Sequence, residues 1–194
     1  MPLTRESPRD SLGFIIADVA RLGRRAFAQV MANSASNLTN AQARLLLDAP
    51  PADTLKGVRD RAILSVLLYH GLRREELTNL KVKDFAQADR GGPRMRVWGK
   101  GGKVRYLPVH RATLKLVAKY LAAAGHGDSP CNWLFQSVSH HNASDGNGGL
   151  TPGAIYSEVV KKYMAPLGIK GDNLGPHALR ATSACSARWL LPVR

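Results

Sequence analysis

The 194-residue chain carries 28 lysines and arginines against 14 aspartates and glutamates, and this net charge of +14 at pH 7 favours a polyanionic partner. Hydrophobic residues make up 44% of the chain and charged residues 22%, which excludes wholesale disorder and allows a buried core. Two cysteines exclude a disulfide framework, and no apolar run reaches the roughly 18 residues that a membrane span needs.

Residues 11–32 place hydrophobic side chains at helical spacing with arginines between them, which predicts an amphipathic helix. A polar segment follows, and Thr39 is expected to cap a second helix that ends at Asp48. We therefore predict a residual N-terminal helix and linker in residues 1–36 and the main domain in residues 37–194. A single helix cannot bury a core alone.

The main domain is predicted to be α+β, mainly α-helical with a small antiparallel β-sheet. Thr54 should cap a long helix that ends at Gly71, with one buried stripe formed by Ile63, Leu64, Leu67 and Leu68. A short helix is predicted from Leu72 to Val82. Two β-like runs around a glycine-rich connection in residues 94–109 predict a hairpin. Further helices are predicted at residues 111–125, from Thr151 onward and from Pro176 onward.

The first candidate for chemistry is the segment GLRREEL at residues 71–77. Gly71 can end the long helix in a left-handed conformation, and Arg73 and Glu76 then lie three residues apart on one face of the next helix. Arg73 could present its planar guanidinium to a phosphate while Glu76 orients it. A simple surface ion pair is the alternative for this segment alone.

The second candidate is the hairpin tip, which carries Lys100 and Lys103 among three glycines. Backbone and ammonium groups can approach a phosphate closely there, and a lysine could protonate a leaving oxygen. An ordinary solvated turn is the alternative.

The third candidate is the segment GPHALRAT at residues 175–182. His177 and Arg180 lie three residues apart near a predicted helix N-terminus, where the helix dipole favours an anion. A structural histidine is the alternative.

Together the arginine in GLRREEL, the lysine in GKGGKVRYLP and the HALR segment resemble the tyrosine recombinases, or phage integrases, over about residues 38–185. The stretch TLKGVRDRAILSVLLYHGLRREEL is similar to the central helices of that family. The resemblance implies a mostly helical catalytic domain that binds double-stranded DNA and needs no metal or cofactor. The two isolated cysteines favour a reducing cytoplasm, and the lack of a long apolar run predicts no membrane association. Residues 1–36 would then be a remnant of the family's core-binding domain.

The resemblance also assigns roles. Arg73 and Arg180 would grip the scissile phosphate, Lys100 would be the general acid on the 5′ leaving oxygen, and His177 would be the first active-site histidine. Glu76 would be the supporting acid. Two guanidiniums can neutralise the charge that develops on nonbridging oxygens. Further DNA-binding residues would be Arg74, Lys103 and Arg105.

The family's nucleophile is a tyrosine that lies well beyond the second arginine, and no tyrosine of this chain follows Arg180. We therefore expect a catalytic domain truncated at its C-terminus that cannot cleave DNA unaided. Intact recombinase protomers could supply the tyrosine in trans. In the family, the core-binding domain closes around the far side of the DNA. A chain that retains only a remnant of that domain should bind DNA weakly and with steep salt dependence.

Three alternatives remain open at this point. The chain could be a non-enzymatic nucleic-acid-binding remnant that competes with an intact recombinase. A type IB topoisomerase uses a similar set of residues, although the sequences of the GLRREEL and HALRAT segments favour integrases. The third alternative is a metal site formed by His126, Cys131, His140 and His141. The spacings between these residues match no standard metal site, so a solvated loop is the preferred interpretation.

Overall fold

The computed structural model describes residues 38–87, 92–138 and 148–169 together with Leu179. The chain divides into two compact units, residues 1–35 and residues 36–194, and every described residue belongs to the second. The predicted helix at residues 11–32 lies outside the described residues. The second unit is mainly helical with a two-stranded antiparallel sheet, which confirms the predicted class.

Five helices and one hairpin form the described fold. In chain order they are α1 (Asn40–Asp48), α2 (Leu55–His70), α3 (Arg74–Thr78), a 3₁₀ turn (Val82–Asp84), β1 (Arg94–Trp98), a 3₁₀ turn at the hairpin tip (Lys100–Gly102), β2 (Val104–Pro108) and α4 (Arg111–Ala124). Helix α5 is α-helical at Pro152–Ala154, π-helical at Ile155–Lys161 and α-helical at Lys162–Met164. None of the described helices is both long and apolar enough to cross a bilayer.

The helix boundaries follow local capping signals, as predicted. The Thr39 hydroxyl accepts a hydrogen bond from the Gln42 amide at 3.2 Å, and the Gln42 side chain accepts one from the Thr39 amide at 2.9 Å. The Thr54 hydroxyl accepts from the Gly57 amide at the start of α2. Gly71 ends α2 with φ = 60°, a left-handed conformation that favours glycine.

Helix α2 is the centre of the core. The four residues of the predicted stripe are buried, but burial extends around the helix, because every residue from Gly57 to Leu68 except Arg61 is buried. The reason is that α1, α4 and α5 all pack around α2, so it has no solvent face along most of its length.

Helix α3 is shorter than the predicted span from Leu72 to Val82. It ends at Thr78 because the next segment is drawn into extended pairing with a distant loop. Lys81 forms a β-bridge with Trp133, and the Val82 amide donates to the carbonyl of Asn132 at 3.0 Å. Tertiary pairing therefore overrides the local helical pattern.

A buried ion pair within α2 is hydrogen-bonded to Tyr163 of α5. Arg59 is 1% exposed and Asp60 is fully buried, and Nε and Nη2 of Arg59 donate to Oδ1 of Asp60 at 2.9 and 2.7 Å. The Tyr163 hydroxyl donates to Oδ2 of Asp60 at 3.0 Å, and Nη1 of Arg59 donates to the carbonyl of Gln136. Both carboxylate oxygens are thus used, as burial of the charge requires.

We expect the Gly57→Ala variant to be about 2 kcal/mol less stable, although alanine is the better helix former. A Cβ at Gly57 would overlap the carbonyl oxygen of Pro51 and lie 2.8 Å from the Pro51 carbonyl carbon. The Gly153→Ala variant is the matched control, because the nearest atom to its Cβ is 3.8 Å away. Urea unfolding measures both, and equal stability of the two variants would contradict the steric argument.

We also expect the free energy of unfolding to fall as the pH drops from about 6.5 to 4. The reason is that the pKa of His70 is lowered to about 4, mainly by burial and to a lesser extent by the charge of nearby His110. The unfolded chain then takes up the proton first, so stability is greatest above pH 6.5. His70 Nε2 lies 3.3 Å from the Thr113 hydroxyl, and His110 stacks on Tyr69. Between pH 7 and pH 5 the native chain should lose about 2 kcal/mol more than the His70→Gln variant. Equal losses would refute this assignment.

Candidate active site

Arg73 lies immediately before α3, not within it as the sequence predicted. Its backbone is extended (φ = −71°, ψ = 153°), and its amide donates to Oε2 of Glu76 at 2.8 Å. The left-handed Gly71 and the buried Leu72 fix this turn between α2 and α3. The pair therefore lies at the N-terminus of α3, where Glu76 reaches back to the residue that caps the helix.

Glu76 holds two arginines with one carboxylate. Its Oε1 accepts from Nη1 of Arg73 at 3.0 Å and from Nη1 of Arg105 at 3.0 Å. Its Oε2 accepts from Nη2 of Arg105 at 2.7 Å, so the Arg105 pair is bidentate. Because Glu76 is only 4% exposed, this contact ties strand β2 to the start of α3.

The pKa of Glu76 is lowered to about 2. Burial alone would raise it, but the hydrogen bonds from Arg105 and from the Arg73 amide and side chain outweigh that effect. Glu76 is thus a carboxylate at every pH at which the protein would work. Since it cannot then donate a proton, its chemical use here is to position the guanidiniums.

The arginines remain open to solvent on their far sides. The side chain of Arg73 is 52% exposed and that of Arg105 is 37% exposed. A guanidinium has five N–H groups, so each arginine has donors left for an anion after binding Glu76. The arrangement can therefore offer fixed donors to a phosphate without a titrating group.

The pairing of Arg105 with Glu76 was not anticipated from the sequence, which placed Arg105 only among DNA-binding residues. The sequence signal that could have indicated this pairing is the two-residue period of β2. Arg105 alternates with exposed Val104 and Tyr106, so its side chain points to the same face as Leu107, toward the protein. A charged residue on an inward face requires a partner.

The hairpin forms as predicted, with Trp98 opposite Val104 and Arg94 opposite Pro108. Its tip is a tight turn in which Gly101 and Gly102 have φ values of 74° and 73°. Lys100 and Lys103 are both exposed there. Within the described chain neither lysine forms an ion pair with a carboxylate, so the tip cations remain available to an external anion.

Arg74 faces α5 rather than Glu76. Its Nη1 lies 3.5 Å from the carbonyl oxygen of Pro152, and its guanidinium lies 5.8 Å above the ring of Tyr156. These contacts join α3 to the first turn of α5. Its proposed contact with DNA stays a prediction.

The third candidate segment lies largely outside the described residues. His177 and Arg180 are both outside them, so their predicted roles stay predictions. Leu179, between these two positions, is helical and fully buried in the same hydrophobic core as α2.

His126 lies in the core, so the interpretation as part of a solvated loop was wrong for this residue. It is 7% exposed, its Nε2 lies 3.3 Å from the carbonyl oxygen of Leu134, and its ring packs edge-on against Tyr120. The left-handed Gly125 turns the chain back at the end of α4 and places His126 there. Cys131 is exposed, and His140 and His141 lie outside the described residues.

Three of the five tyrosines are engaged in packing. The Tyr163 hydroxyl is bonded to Asp60, and burial together with that carboxylate raises its pKa to about 12. The Tyr120 hydroxyl accepts from the Gln136 amide at 3.1 Å. Tyr69 stacks on a histidine ring 4.3 Å away.

The other two tyrosines are exposed. Tyr106 is 54% exposed on the outer face of the hairpin, opposite to the face that carries Arg105. Tyr156 is 37% exposed and lies beneath the Arg74 guanidinium. Tyr156 is therefore an exposed tyrosine in direct contact with a residue of α3.

Comparison with known proteins finds a consistent likeness. The phage integrase family matches residues 36–188. Tyrosine recombinase XerC of Myxococcus xanthus is 33% identical over 145 residues, which are 72% of this chain and 44% of that protein. XerC of Pelobacter propionicus is 41% identical over 143 residues, which are 74% of this chain and 43% of that protein. The chain thus spans less than half the length of these relatives.

Solved structures agree. The crystal structure of XerA recombinase has a TM-score of 0.60 at 28% identity and covers 78% of this chain and 50% of its own. XerH site-specific recombinase, bound to its palindromic difH substrate in a post-cleavage complex, has a TM-score of 0.61 at 22% identity. The matched region is 76% of this chain and 40% of the XerH chain. At 22% identity, this likeness shows a shared fold and nothing more.

Proposed function

Because this chain belongs to the phage integrase family, we propose that it is a DNA-binding tyrosine site-specific recombinase that grips a phosphodiester but does not cleave it unaided. Its role would be in DNA integration or recombination. Intact recombinase protomers are the proposed protein partners, and no metal or cofactor takes part in the proposed chemistry.

The observation that carries this proposal is the double grip of Glu76 on Arg73 and Arg105. It fixes the Arg73 guanidinium in place, with its outer donors exposed, before any ligand arrives. Fixed donors stabilise developing charge without reorganising during the reaction, which is what phosphoryl transfer demands of a protein.

The same contact supports a role for Lys100. Arg105 anchors β2 to α3 five residues after Lys100, so the hairpin tip projects from the junction that also carries Arg73. We propose that Lys100 donates its proton to the 5′ leaving oxygen, while Arg73, His177 and Arg180 bind the nonbridging oxygens. Arg74 and Lys103 would contact neighbouring DNA phosphates, and Arg105 would do so with the donors that Glu76 leaves open.

The proposed lack of unaided cleavage rests on the tyrosines. Tyr163 is bonded to a buried carboxylate, and its raised pKa makes it a poor nucleophile at neutral pH. Tyr106 lies on the hairpin face opposite to Arg105.

A nicked duplex that traps the phosphotyrosine bond tests this proposal. Its DNA sequence is first selected from a random pool by binding to the protein. We expect binding but no covalent adduct from the 194-residue chain alone. An adduct that disappears in the Tyr156→Phe variant would contradict the proposal and name Tyr156 as the nucleophile. Adduct formation that needs an added full-length relative, and then forms on the relative's tyrosine, would establish donation in trans.

A further inference from the structure

The solvent-facing side of α4 carries a row of cations that the candidate site does not use. Arg111, Lys115 and Lys119 are exposed and four residues apart, so they lie along one face of the helix and span about 12 Å of its axis. We name these three residues the α4 stripe. Such a row can follow successive charges on a linear polyanion.

The α4 stripe is held in place by the core. The opposite face of α4 buries Thr113, Val117 and Tyr120, and the helix packs against α2. The cations are therefore carried on a fixed element and lose little entropy on binding beyond their own side-chain freedom.

Among the described residues, no carboxylate compensates the charge of the α4 stripe. The sequence of α4, RATLKLVAKYLAAA, contains no aspartate or glutamate. In the part of the chain that the structure describes, no carboxylate forms an ion pair with any of the three cations. A partner of high negative charge is the natural complement.

The neighbouring side chains favour a phosphate backbone over a membrane surface. Ala118, Ala122 and Ala123 are the exposed residues between and beyond the lysines on α4, so this face of the helix presents nothing large and apolar for insertion into lipid. The apolar face of α4 is already buried against α2. Small residues beside the lysines also allow close approach of a rigid duplex.

The position of the α4 stripe connects it with the candidate site. Tyr69 stacks on His110, and His70 lies against Thr113, so the N-terminal end of α4 is joined to the C-terminal end of α2. Arg73 follows three residues after His70. The stripe thus begins at the end of α2 that leads into the site and continues along α4.

We propose that Arg111, Lys115 and Lys119 form a track for the phosphate backbone of duplex DNA, separate from the phosphodiester that Arg73 serves. The proposal rests on the DNA-binding function proposed above. It assigns this surface a sequence-independent contact that adds affinity without reading bases.

Salt dependence measures this contact. The Lys115→Gln/Lys119→Gln variant should lower the slope of log K against log salt for a mixed-sequence duplex by about 1.8, or about 0.9 for each lost phosphate contact. The matched control is Lys83→Gln/Lys161→Gln, which removes the same charge from exposed lysines outside α4. An equal change in both variants would overturn the proposal, because the effect would then be one of net charge. An unchanged slope in the stripe variant would overturn it too.

Acetylation of lysines in the native chain, with and without the duplex, separates the track from the site. We expect DNA to protect Lys115 and Lys119 as well as Lys100 and Lys103. Protection of the hairpin lysines alone would overturn the track and leave the proposed function standing. Protection of Lys115 and Lys119 alone would uphold the track and count against the site. Protection of none of the four would overturn both.

Discussion

The Glu76→Gln variant is expected to unfold with a free energy about 2–3 kcal/mol below that of the native chain at pH 7. The substitution keeps the shape of the side chain but removes the charge that binds Arg73 and Arg105. Breaking a buried ion pair costs about 3–5 kcal/mol, and the partial exposure of both arginines reduces that figure. Urea unfolding monitored by circular dichroism gives the difference directly.

The neighbouring Glu75 supplies the control. Glu75 is exposed, and its change to glutamine should alter stability by less than about 0.5 kcal/mol. The pH dependence gives a second check, because a pKa lowered from 4.5 to about 2 stabilises the folded state above pH 4.5 and ceases to do so as the pH falls to 2. The cost of the Glu76 substitution should therefore fall to less than half by about pH 3. A cost independent of pH would show that charge is not its origin.

A still larger loss, of about 4 kcal/mol, is expected from the Asp60→Ala variant. Asp60 is fully buried and accepts from Arg59 and Tyr163, so its removal leaves a guanidinium that is 1% exposed without its counter-ion. With a total stability of about 5–15 kcal/mol for a typical domain, this should lower Tm by about 8–16 °C. Thermal unfolding at neutral pH is the measurement.

Two further variants identify the cause of that loss. Asp53 is exposed, and its change to alanine should shift Tm by no more than about 2 °C. The double variant Arg59→Met/Asp60→Leu should be more stable than Asp60→Ala alone, since it removes the stranded charge together with its partner. If the double variant is the less stable of the two, the loss comes from packing rather than from the buried charge.

The elements that the sequence predicted well are those whose signals are local. Thr39 and Thr54 begin helices because a hydroxyl satisfies amides within three residues, and Gly71 and Gly125 end helices because glycine adopts a positive φ without strain. The hairpin is equally local, since two short strands flank its glycine-rich tip. Such features need no knowledge of distant residues.

The errors concern residues whose environment is set by distant parts of the chain. Arg105 and Glu76 are 29 residues apart, and no periodicity in either segment shows that their faces meet. The full burial of α2 depends on three other helices, and the early end of α3 depends on pairing of Lys81 with Trp133. The π-helical turn of α5 was not predicted from the sequence either.

The candidate site likewise has one part that the sequence predicted and one part that required the structure. The residue types and order of Arg73, Glu76 and Lys100 carried the family resemblance, and family membership follows from residues 36–188. The placement of Arg73 before α3, and the use of Glu76 as a shared counter-ion, required the fold. Long-range ion pairs are the part of a site that sequence patterns describe least.

We propose that Arg73 and Lys100 act on one phosphodiester, and a double-mutant cycle on duplex affinity is the most direct test. The variants are Arg73→Gln, Lys100→Gln and their combination, with a parallel cycle of Arg73→Gln and Lys83→Gln as the control. If both cations contact the same phosphate, the first cycle should deviate from additivity by at least about 0.5 kcal/mol and the control cycle by less than about 0.3 kcal/mol. Additive effects of Arg73 and Lys100 would contradict the account.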